Sequence, residues 1–444
     1  MTIEDQLATA GYARVVVVLK PTKRHRVDGR LTVALDETIS LQQEAAQSLE
    51  SCFRRIKASR TVQMELEIAA TLQPTIRSLL AAEPAPATYV LDARAEVVPQ
   101  SSAVRYFPNL GIMMGTVDRA GLAKLRKNTD EVAQLFSPPE MSLIHPTEDD
   151  GAALAEEEGI SWALERMGIP KLWDDGLTGD GVLIGHLDTG IDGAHPALAG
   201  AIDAAAVFDE IGRQLTVATP TVDTGFHGTH TAGLLVGQPF KNVTFGVAPG
   251  ARLATATVIE DGDIPLRVVA GLDWCLGQGV KIVNLSLGVR IFDPLVAALV
   301  KQLRDRDVLP VVAIGNEGPE SSRTPGNLPE ALSVGAMDQA DQIWHKSSSQ
   351  RFNETPARIV PTLIGPGTGI VSAAPNEKLK KLSGTSMAAP HISGLAALLK
   401  QYRPEVAMAE IEKVILASCT RPGGISTLRG NKGVPDAVVA KSKL

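Results

Sequence analysis

The sequence predicts an α/β protein in which a parallel sheet flanked by helices is preceded by a small α+β domain. Two patterns point to this arrangement. From about Ala155 onward, short apolar runs alternate with stretches of helical spacing, which is the order expected of parallel strands joined by helices. The first 145 residues follow a different order, in which two strands stand next to each other between two helices.

The parallel sheet is predicted from four apolar runs, with helical spacing between and after them. The predicted strands are Val182–Leu187, Ala251–Ile259, Val280–Leu285 and Val308–Ile314. The predicted helices are Arg267–Leu276, Pro294–Arg304 and the apolar stretch Met387–Leu399. Strand and helix therefore alternate along this part of the chain.

The N-terminal region is predicted to have the order βαββαβ of a ferredoxin-like domain. Its predicted elements are the strand Arg14–Leu19, a helix from Leu41 to Ile56, a strand pair around Ala95–Val98 and Val104–Val117, a helix near Arg119–Asn128 and the strand Val132–Phe136. The stretch 62–80 stays undecided, because its first half alternates like a strand and its second half has helical spacing interrupted by Pro74. The extra segment 41–80 is longer than such a small domain needs.

An acidic, weakly hydrophobic segment from Glu148 to Glu158 predicts an exposed linker. The expected organisation is an N-terminal domain over residues 1–145, a linker with a processing site over 146–160, and a larger domain over 161–444.

Composition excludes several classes of protein. A chain of 444 residues with 44% hydrophobic content and a net charge of −7 has material for two or three domains, but it lacks the basic surface of a nucleic-acid-binding protein. The three cysteines are too few and too far apart for a disulfide framework or a thiolate zinc site. The longest early apolar run, Val15–Leu19, is too short for a membrane span, and no signal peptide is recognisable. We therefore expect a cytoplasmic protein with no nucleic-acid or membrane partner.

Ser386 is a candidate nucleophile. It lies in Gly384-Thr385-Ser386-Met387-Ala388-Ala389-Pro390, where a glycine turn presents a hydroxyl at the start of a helix whose free N–H groups stabilise negative charge. A serine in this position could also be a simple N-cap. Nucleophilic catalysis would require a base and a group that orients it.

Asp188 and His227 are the candidates for these two roles. Asp188 directly follows an apolar strand, and functional groups concentrate at the carboxyl ends of parallel strands. His227 begins His227-Gly228-Thr229-His230, where the glycine allows a close approach to neighbouring backbone. A metal site at this histidine pair is not favoured, since the H-E-x-x-H pattern is absent.

These three segments together resemble the subtilisin-like serine proteases, or subtilases, in which aspartate, histidine and serine motifs occur in the same order. The resemblance covers about Trp162 to the C-terminus. It implies a subtilisin-like sheet and a triad of Asp188, His227 and Ser386. It also implies an oxyanion donor at Asn316, within Ala313-Ile314-Gly315-Asn316-Glu317-Gly318.

The resemblance further implies a substrate-binding strand at Ser286, Leu287 and Gly288. Because Gly288 and Gly315 lack side chains, a substrate residue could enter between them, and we expect an apolar or large residue before the cleaved bond. Glu317 at the pocket edge could instead admit a basic residue.

One departure from the family concerns calcium, which subtilases bind with an aspartate after the His-Pro that follows the catalytic aspartate. Here Ala197 follows His195-Pro196, and the loop 238–244 contains Pro239, Phe240 and Lys241 rather than a run of oxygen donors. We therefore expect no metal at that site and no cofactor.

The N-terminal region resembles the subtilase propeptide in order and position. The leading hypothesis is a serine endopeptidase that acts on polypeptides and is made as a zymogen, with its own N-terminal domain as intramolecular inhibitor. The alternative is a binding or scaffold protein permanently capped by that domain. A lipase or esterase of the α/β-hydrolase type is disfavoured, because those enzymes order the triad Ser, Asp, His.

Overall fold

A computed structural model describes residues 2–20, 26–27, 30–31, 35–54, 104–148, 158–209, 212–215, 217, 220–259, 263–354 and 357–444. The predicted strand Ala95–Val98 and the undecided stretch 62–80 lie outside these residues. The described chain forms two compact units that divide in sequence between Pro138 and Pro139, apart from Val217, which groups with the first. We call them the N-terminal unit and the C-terminal unit. The three predicted segments, with boundaries after residues 145 and 160, stay a prediction.

The N-terminal unit contains a four-stranded antiparallel sheet. In spatial order its strands are Val104–Phe107, Ile112–Val117, Ala13–Leu19 and Val132–Phe136. The central strand Ala13–Leu19 is rich in valine and almost wholly buried. β-Branched residues such as valine pack well on the pleated surface of a sheet. The predicted long strand Val104–Val117 is a hairpin instead, because Pro108 and Gly111 place a turn in its middle.

Helices cover this sheet through an apolar core. They are Ile3–Ala10, Leu35–Leu49, the 3₁₀ turn Glu50–Cys52 and Arg119–Lys127, and two short strands, Arg26–Val27 and Arg30–Leu31, pair with each other. Thr2 and Asp118 cap two of the helices through their side-chain oxygens. Leu7 and Leu125 belong to the same buried cluster as Val15. The predicted helix from Leu41 is confirmed, but it begins and ends earlier than predicted.

The C-terminal unit contains an eight-stranded sheet whose strands are all parallel except the edge strand Gln214–Leu215. In spatial order the strands are Gln214–Leu215, Ile202–Phe208, Arg252–Thr257, Leu183–Asp188, Ile282–Leu285, Leu309–Ala313, Leu332–Met337 and Leu363–Pro366. The predicted parallel sheet flanked by helices is thereby confirmed, and the four predicted strands are four neighbours at its centre.

Helices and short strands complete this unit. Its helices are Trp162–Arg166, Ile169–Asp174, the 3₁₀ turn Pro196–Leu198, His227–Val236, Ile264–Gly277, Pro294–Asp305, Thr385–Tyr402, Met408–Ser418, Thr427–Gly430 and Ala437–Ser442. Its shorter strands are Ser142–Leu143, Thr147–Glu148, Gly159–Ile160, Val243–Thr244, Leu287–Gly288, Gln350–Phe352, Arg358–Val360, Ile370–Ala374 and Lys378–Ser383. Within the described ranges, no helix is both long and apolar enough to cross a bilayer.

The order of the strands creates a crevice beside Asp188. After Leu183–Asp188 the chain builds Ile202–Phe208 and Arg252–Thr257 on one side, and then crosses to Ile282–Leu285 on the other. Such a switch point leaves a gap at the carboxyl ends of the central strands, where ligands of open α/β sheets bind. Asp188, the last residue of its strand, lies at this edge.

The helix Thr385–Tyr402 is buried along most of its length and contains Pro390. Because proline has no N–H, it leaves the carbonyl of Ser386 without its usual donor one turn later. The hydroxyl of Ser286 donates to that carbonyl at 3.4 Å instead. The substrate strand predicted at Ser286 is therefore joined to the helix that carries the candidate nucleophile.

Candidate active site

Asp188 and His227 form a buried pair. Their side chains are 1% and 2% exposed, and Nδ1 of His227 lies 2.7 and 2.9 Å from the two carboxylate oxygens. The backbone N–H of Thr189 also donates to Asp188 Oδ1. Although burial favours the neutral carboxyl, the neighbouring His227 and these hydrogen bonds hold the pKa of Asp188 below its ordinary value. The pair is therefore an ionised carboxylate that orients an imidazole.

Glycine brings His227 to this position. His227 is the first residue of its helix, and a Cβ atom on Gly228 would lie 1.9 Å from the carbonyl oxygen of Gly190. The helix therefore starts directly against the turn that follows Asp188, as the sequence predicted. The hydroxyl of Thr189 accepts from the N–H of Gly228 and donates to the half-buried carboxylate of Asp223, which holds the two segments together.

Ser386 lies near the N-terminus of its helix and is fully buried. Its hydroxyl donates to the carbonyl oxygen of Ile144 at 2.8 Å. Nε2 of His227 is buried and has no hydrogen-bond partner among the residues that the structure describes. The hydroxyl proton is thus directed toward a peptide carbonyl of the chain itself, and Ser386 makes no hydrogen bond to Nε2 of His227.

Asn316 presents a donor to the same cleft. Its Oδ1 accepts from both the N–H and the hydroxyl of Thr385, at 3.0 and 2.9 Å. Because an amide has one oxygen and one nitrogen, this arrangement turns Nδ2 outward, where it donates to the carbonyl of His145 at 2.9 Å. Thr385 therefore fixes the direction of the amide that the sequence predicted as oxyanion donor.

A stretch of the chain, which we call the cleft segment, runs through this site from Ser142 to Glu148. Ser142 and Leu143 pair antiparallel with Gly288 and Leu287. The N–H of Ile144 donates to the carbonyl of Ser286 at 3.0 Å.

At its far end the cleft segment pairs with a second strand. Thr147 and Glu148 pair antiparallel with Ser383 and Leu382. The cleft segment is therefore held by backbone hydrogen bonds on both sides of Ser386.

The local packing also requires glycine at the two predicted pocket positions. A Cβ atom on Gly288 would lie 2.4 Å from the carbonyl oxygen of Thr324, and one on Gly315 would lie 2.6 Å from Oε2 of Glu317. Neither position therefore has room for a side chain in the direction of its Cβ atom. Gly315 also has φ of 123°, a backbone conformation that favours glycine.

Glu317 is already paired with a cation. Arg323, only 5% exposed, donates through Nε and Nη2 to one carboxylate oxygen of Glu317. Its Nη1 donates to the hydroxyl of Ser142 and to the carbonyl of Leu143. A basic substrate residue would have to compete with this guanidinium, which disfavours the expectation that Glu317 admits one.

The loop in which the family binds calcium does not fit that ion. Ala197 contributes a methyl group, and the ammonium of Lys241 donates to the carbonyl of Glu377 at 2.8 Å. Calcium requires six to eight oxygen ligands. In the described part of the chain, no group of three or more His, Cys, Asp or Glu side chains is arranged to hold a metal.

The structure thus pairs Asp188 with His227 and joins Asn316 to Thr385, the neighbour of Ser386. The predicted substrate strand Ser286, Leu287 and Gly288 lies along the cleft segment. Sequence reasoning missed Thr385, Arg323 and the cleft segment. The apolar pair Leu143-Ile144, followed by Pro146 just before the acidic linker, was the available signal, since a proline favours extended backbone before it.

Comparison with known proteins agrees with this geometry. The model of the subtilase family matches residues 179–436. The chain is 30% identical to the subtilisin-like protease PopC of Myxococcus xanthus (strain DK1622) over 377 residues. The aligned region covers 76% of this chain and 77% of that protein.

Two further relatives match shorter parts of the chain. The major intracellular serine protease of Bacillus subtilis (strain 168) is 34% identical over 246 residues, 53% of this chain and 73% of that protein. Subtilisin BL of Lederbergia lenta is 33% identical over 268 residues, 60% of this chain and 93% of that protein.

Proposed function

Because the chain belongs to the subtilase family and is a subtilisin-like serine peptidase, we propose that it is an endopeptidase with a triad of Asp188, His227 and Ser386. Ser386 attacks the carbonyl carbon of a peptide bond while His227 takes its proton, and Asp188 holds the imidazole in the tautomer that accepts it. His227 then returns the proton to the leaving amine. Asn316 donates to the oxyanion of the tetrahedral intermediate.

The observation that supports a polypeptide substrate best is the cleft segment. It binds as an extended strand along Leu287–Gly288, and the carbonyl of Ile144 lies 2.8 Å from the hydroxyl oxygen of Ser386. Strand addition of this kind binds any peptide through its backbone, while side-chain pockets select among sequences. The cleft segment places Leu143 and Ile144 before that carbonyl, which supports a preference for apolar residues there.

The same contacts support intramolecular inhibition by the cleft segment. In a productive complex, one carbonyl faces both the nucleophile and the oxyanion donor. Here Ser386 binds the carbonyl of Ile144, whereas Asn316 binds the next carbonyl, that of His145. Neither peptide bond has both contacts, and Ser386 is not hydrogen-bonded to its proposed base. The bound segment therefore blocks the cleft without being in position for attack.

We propose on this basis that the chain is a zymogen, activated by cleavage between about Leu143 and Ile160. A cut beyond Glu148 would break the chain between the cleft segment and the rest of the C-terminal unit, after which the cleft segment can leave the cleft. The name of the relative from Bacillus subtilis describes an intracellular enzyme, and this supports action inside the cell. Fractionation of cells followed by detection of the mature chain tests the location.

The nucleophile is tested by replacing Ser386 with alanine. Ser386→Ala is expected to abolish labelling by a fluorophosphonate probe and to lower peptide hydrolysis by about 10⁶-fold. Ser393→Ala is the matched control, because that serine lies on the same helix, is equally buried and only donates to Asn284. Labelling of Ser386→Ala at the wild-type rate would contradict the triad.

Zymogen activation is tested by following the N-terminus of purified chain over time. Wild-type protein is expected to acquire a new terminus between Leu143 and Ile160 as hydrolysis rises, and Ser386→Ala is expected to stay intact. A wild-type chain that stays uncleaved and inert to the probe would favour the permanently capped scaffold protein.

Inhibition by the cleft segment is tested at Ile144, which is fully buried. Ile144→Asp places a charge in a buried apolar position and is expected to expel the segment, so that uncleaved protein reacts with the fluorophosphonate at least tenfold faster. Ile160→Asp is the control, since that side chain is 40% exposed. Equal labelling rates for the two uncleaved variants would count against inhibition.

A further inference from the structure

Three buried polar side chains lie behind Asp188, on the side away from the cleft. His186 is two residues earlier in the same strand, so its side chain points to the same face of the sheet. Thr255 belongs to the neighbouring strand, and Thr231 to the helix that begins with His227. His186 and Thr231 are 0% exposed and Thr255 is 3% exposed.

These side chains form a continuous chain of hydrogen bonds that ends at the carboxylate. The hydroxyl oxygen of Thr255 lies 3.1 Å from Nδ1 of His186, and Nε2 of His186 lies 2.9 Å from the hydroxyl oxygen of Thr231. The hydroxyl of Thr231 donates to Oδ2 of Asp188 at 3.2 Å. From Asp188 the chain continues to Nδ1 of His227.

Only one set of proton positions satisfies the whole series Thr255–His186–Thr231–Asp188 with a neutral imidazole and an ionised carboxylate. An ionised carboxylate only accepts, so Thr231 must give Asp188 its single proton and must accept from Nε2–H of His186. Nδ1 of His186 is then unprotonated and accepts from the hydroxyl of Thr255. Two backbone carbonyls, of His227 and Gly228, also lie 3.2 Å from the hydroxyl of Thr231, but the carboxylate is the charged and therefore stronger acceptor.

His186 differs in this respect from two other buried histidines. His230 and His391 each leave one ring nitrogen without a partner in the part of the chain that the structure describes, whereas both nitrogens of His186 are bonded. Burial lowers the pKa of His186 to about 4, with Asp188 and His227 as the titratable groups that face it. The imidazole is therefore uncharged at neutral pH. A buried polar ring between strands is costly unless its hydrogen bonds are used.

We propose that His186 and Thr231 are positioning residues for the triad, which lock the carboxylate of Asp188 from behind through aligned hydrogen bonds. Thr189 N–H binds Oδ1 and the hydroxyl of Thr231 binds Oδ2, so the carboxylate cannot rotate away from His227. This inference rests on the proposed roles of Asp188 and His227 in peptide hydrolysis.

The test compares variants that keep or remove each hydrogen bond at nearly constant shape. Thr231→Val removes the donor to Asp188, and Thr231→Ser keeps it. His186→Leu breaks the chain, whereas the amide of His186→Gln can accept from Thr255 and donate to Thr231. Each variant is measured on a chromogenic peptide after activation, with the active fraction counted by complete fluorophosphonate labelling and folding checked by melting temperature.

Thr231→Val and His186→Leu are expected to lower kcat about tenfold. KM is expected to stay unchanged, because the hydrogen-bonded side chains of Thr255, His186 and Thr231 do not contact the substrate. Thr231→Ser and His186→Gln are expected to retain kcat within about threefold. The acid limb of the kcat/KM profile of Thr231→Val is expected to move to higher pH. The lost hydroxyl dipole had its positive end toward the carboxylate of Asp188, so its removal makes the electrostatic potential in the triad more negative.

The positioning role would be overturned if Thr231→Val and Thr231→Ser had the same kcat, or if His186→Leu and His186→Gln had the same kcat. An unshifted acid limb in the kcat/KM profile of Thr231→Val would also overturn it. If Thr231→Val does not fold, the histidine pair decides the question alone. The outcome is separable from the proposed function, since failure of the latter appears in wild type and Ser386→Ala, whereas failure of this inference leaves both as expected.

Discussion

The two units are stabilised in similar ways but differ in what they bury. Both have sheets covered by helices and continuous apolar cores. In the described part of the N-terminal unit the buried polar side chains are those of Gln42 and Thr116, and neither is titratable. The C-terminal unit buries Asp188 and the side chains of several histidines. A change of pH, which acts on buried titratable groups, should therefore affect the stability of the C-terminal unit more than that of the N-terminal unit. Substitutions that disturb packing should destabilise either unit.

The largest expected separation is in acid. Burial lowers the pKa of His186 and His391 to about 4 and that of His230 to about 3. The unfolded chain takes up these protons near pH 6.5 and the folded chain does not, so the stability of the C-terminal unit is complete above pH 6.5 and falls below it. We expect a loss of roughly 3 kcal/mol for each histidine by pH 4.

Two probes read the units separately. All four tryptophans lie after residue 161, so denaturant unfolding followed by tryptophan fluorescence reports the C-terminal unit. Thiol labelling of Cys52, identified by mass spectrometry, reports the N-terminal unit, where that side chain is buried. Parallel losses in both signals between pH 6.5 and 4 would break the comparison.

A second prediction that distinguishes the units concerns two glycines, one in each unit, that have no room for a side chain. A Cβ atom on Gly228 would lie 1.9 Å from the backbone oxygen of Gly190, and one on Gly121 would lie 2.0 Å from that of Cys52. Backbone cannot move cheaply, so each alanine variant is expected to cost about 4 kcal/mol or more in its own unit. Gly423→Ala is the control, because that Cβ atom meets nothing within 4 Å.

These variants also divide the functions. Gly228→Ala displaces His227 and should abolish hydrolysis, while Gly121→Ala should expose Cys52 and leave tryptophan fluorescence of the activated enzyme unchanged. Loss of hydrolysis by already activated Gly121→Ala would show that turnover depends on the N-terminal unit.

The sequence predicted apolar architecture well in both units and polar networks poorly. Runs of apolar residues identified the central strands between Val182 and Ile314. A parallel sheet buries both of its faces, so its strands are continuously apolar in sequence. The late strands Leu332–Met337 and Leu363–Pro366 were missed. The proposed triad was identified through motifs, but Thr231 and Thr385 were not, since a threonine looks the same in sequence whether its hydroxyl binds a catalytic group or a neighbouring carbonyl.

A third prediction concerns Asn316, whose amide direction depends on Thr385. Asn316→Ala is expected to raise the barrier to hydrolysis by about 3 kcal/mol, seen in kcat with KM little changed, because the donor acts on the developing oxyanion. Thr385→Val removes one of the two bonds that hold the amide and should have a smaller effect in the same direction. An effect of Asn316→Ala confined to KM would instead indicate a role in binding.

The smallest expected effect compares two helix caps. Asp118 accepts from the N–H of Gly121 in the N-terminal unit, and Asp293 accepts from that of Val296 in the C-terminal unit, at 2.8 and 3.0 Å. Each alanine variant is expected to lose about 1 kcal/mol of stability, read by Cys52 labelling for the first and tryptophan fluorescence for the second.

The contribution of the Asp293 cap should also depend on pH, because burial raises the pKa of Asp293 above its ordinary value. A raised carboxyl pKa means that protonation favours the folded state. The deficit of Asp293→Ala should therefore grow as the pH falls toward the ordinary range of aspartate. A stability deficit of Asp293→Ala that does not change with pH would show that this cap, although half-buried, behaves like a solvent-exposed one. The buried titratable groups of the cleft would then be the feature that distinguishes the two units in acid.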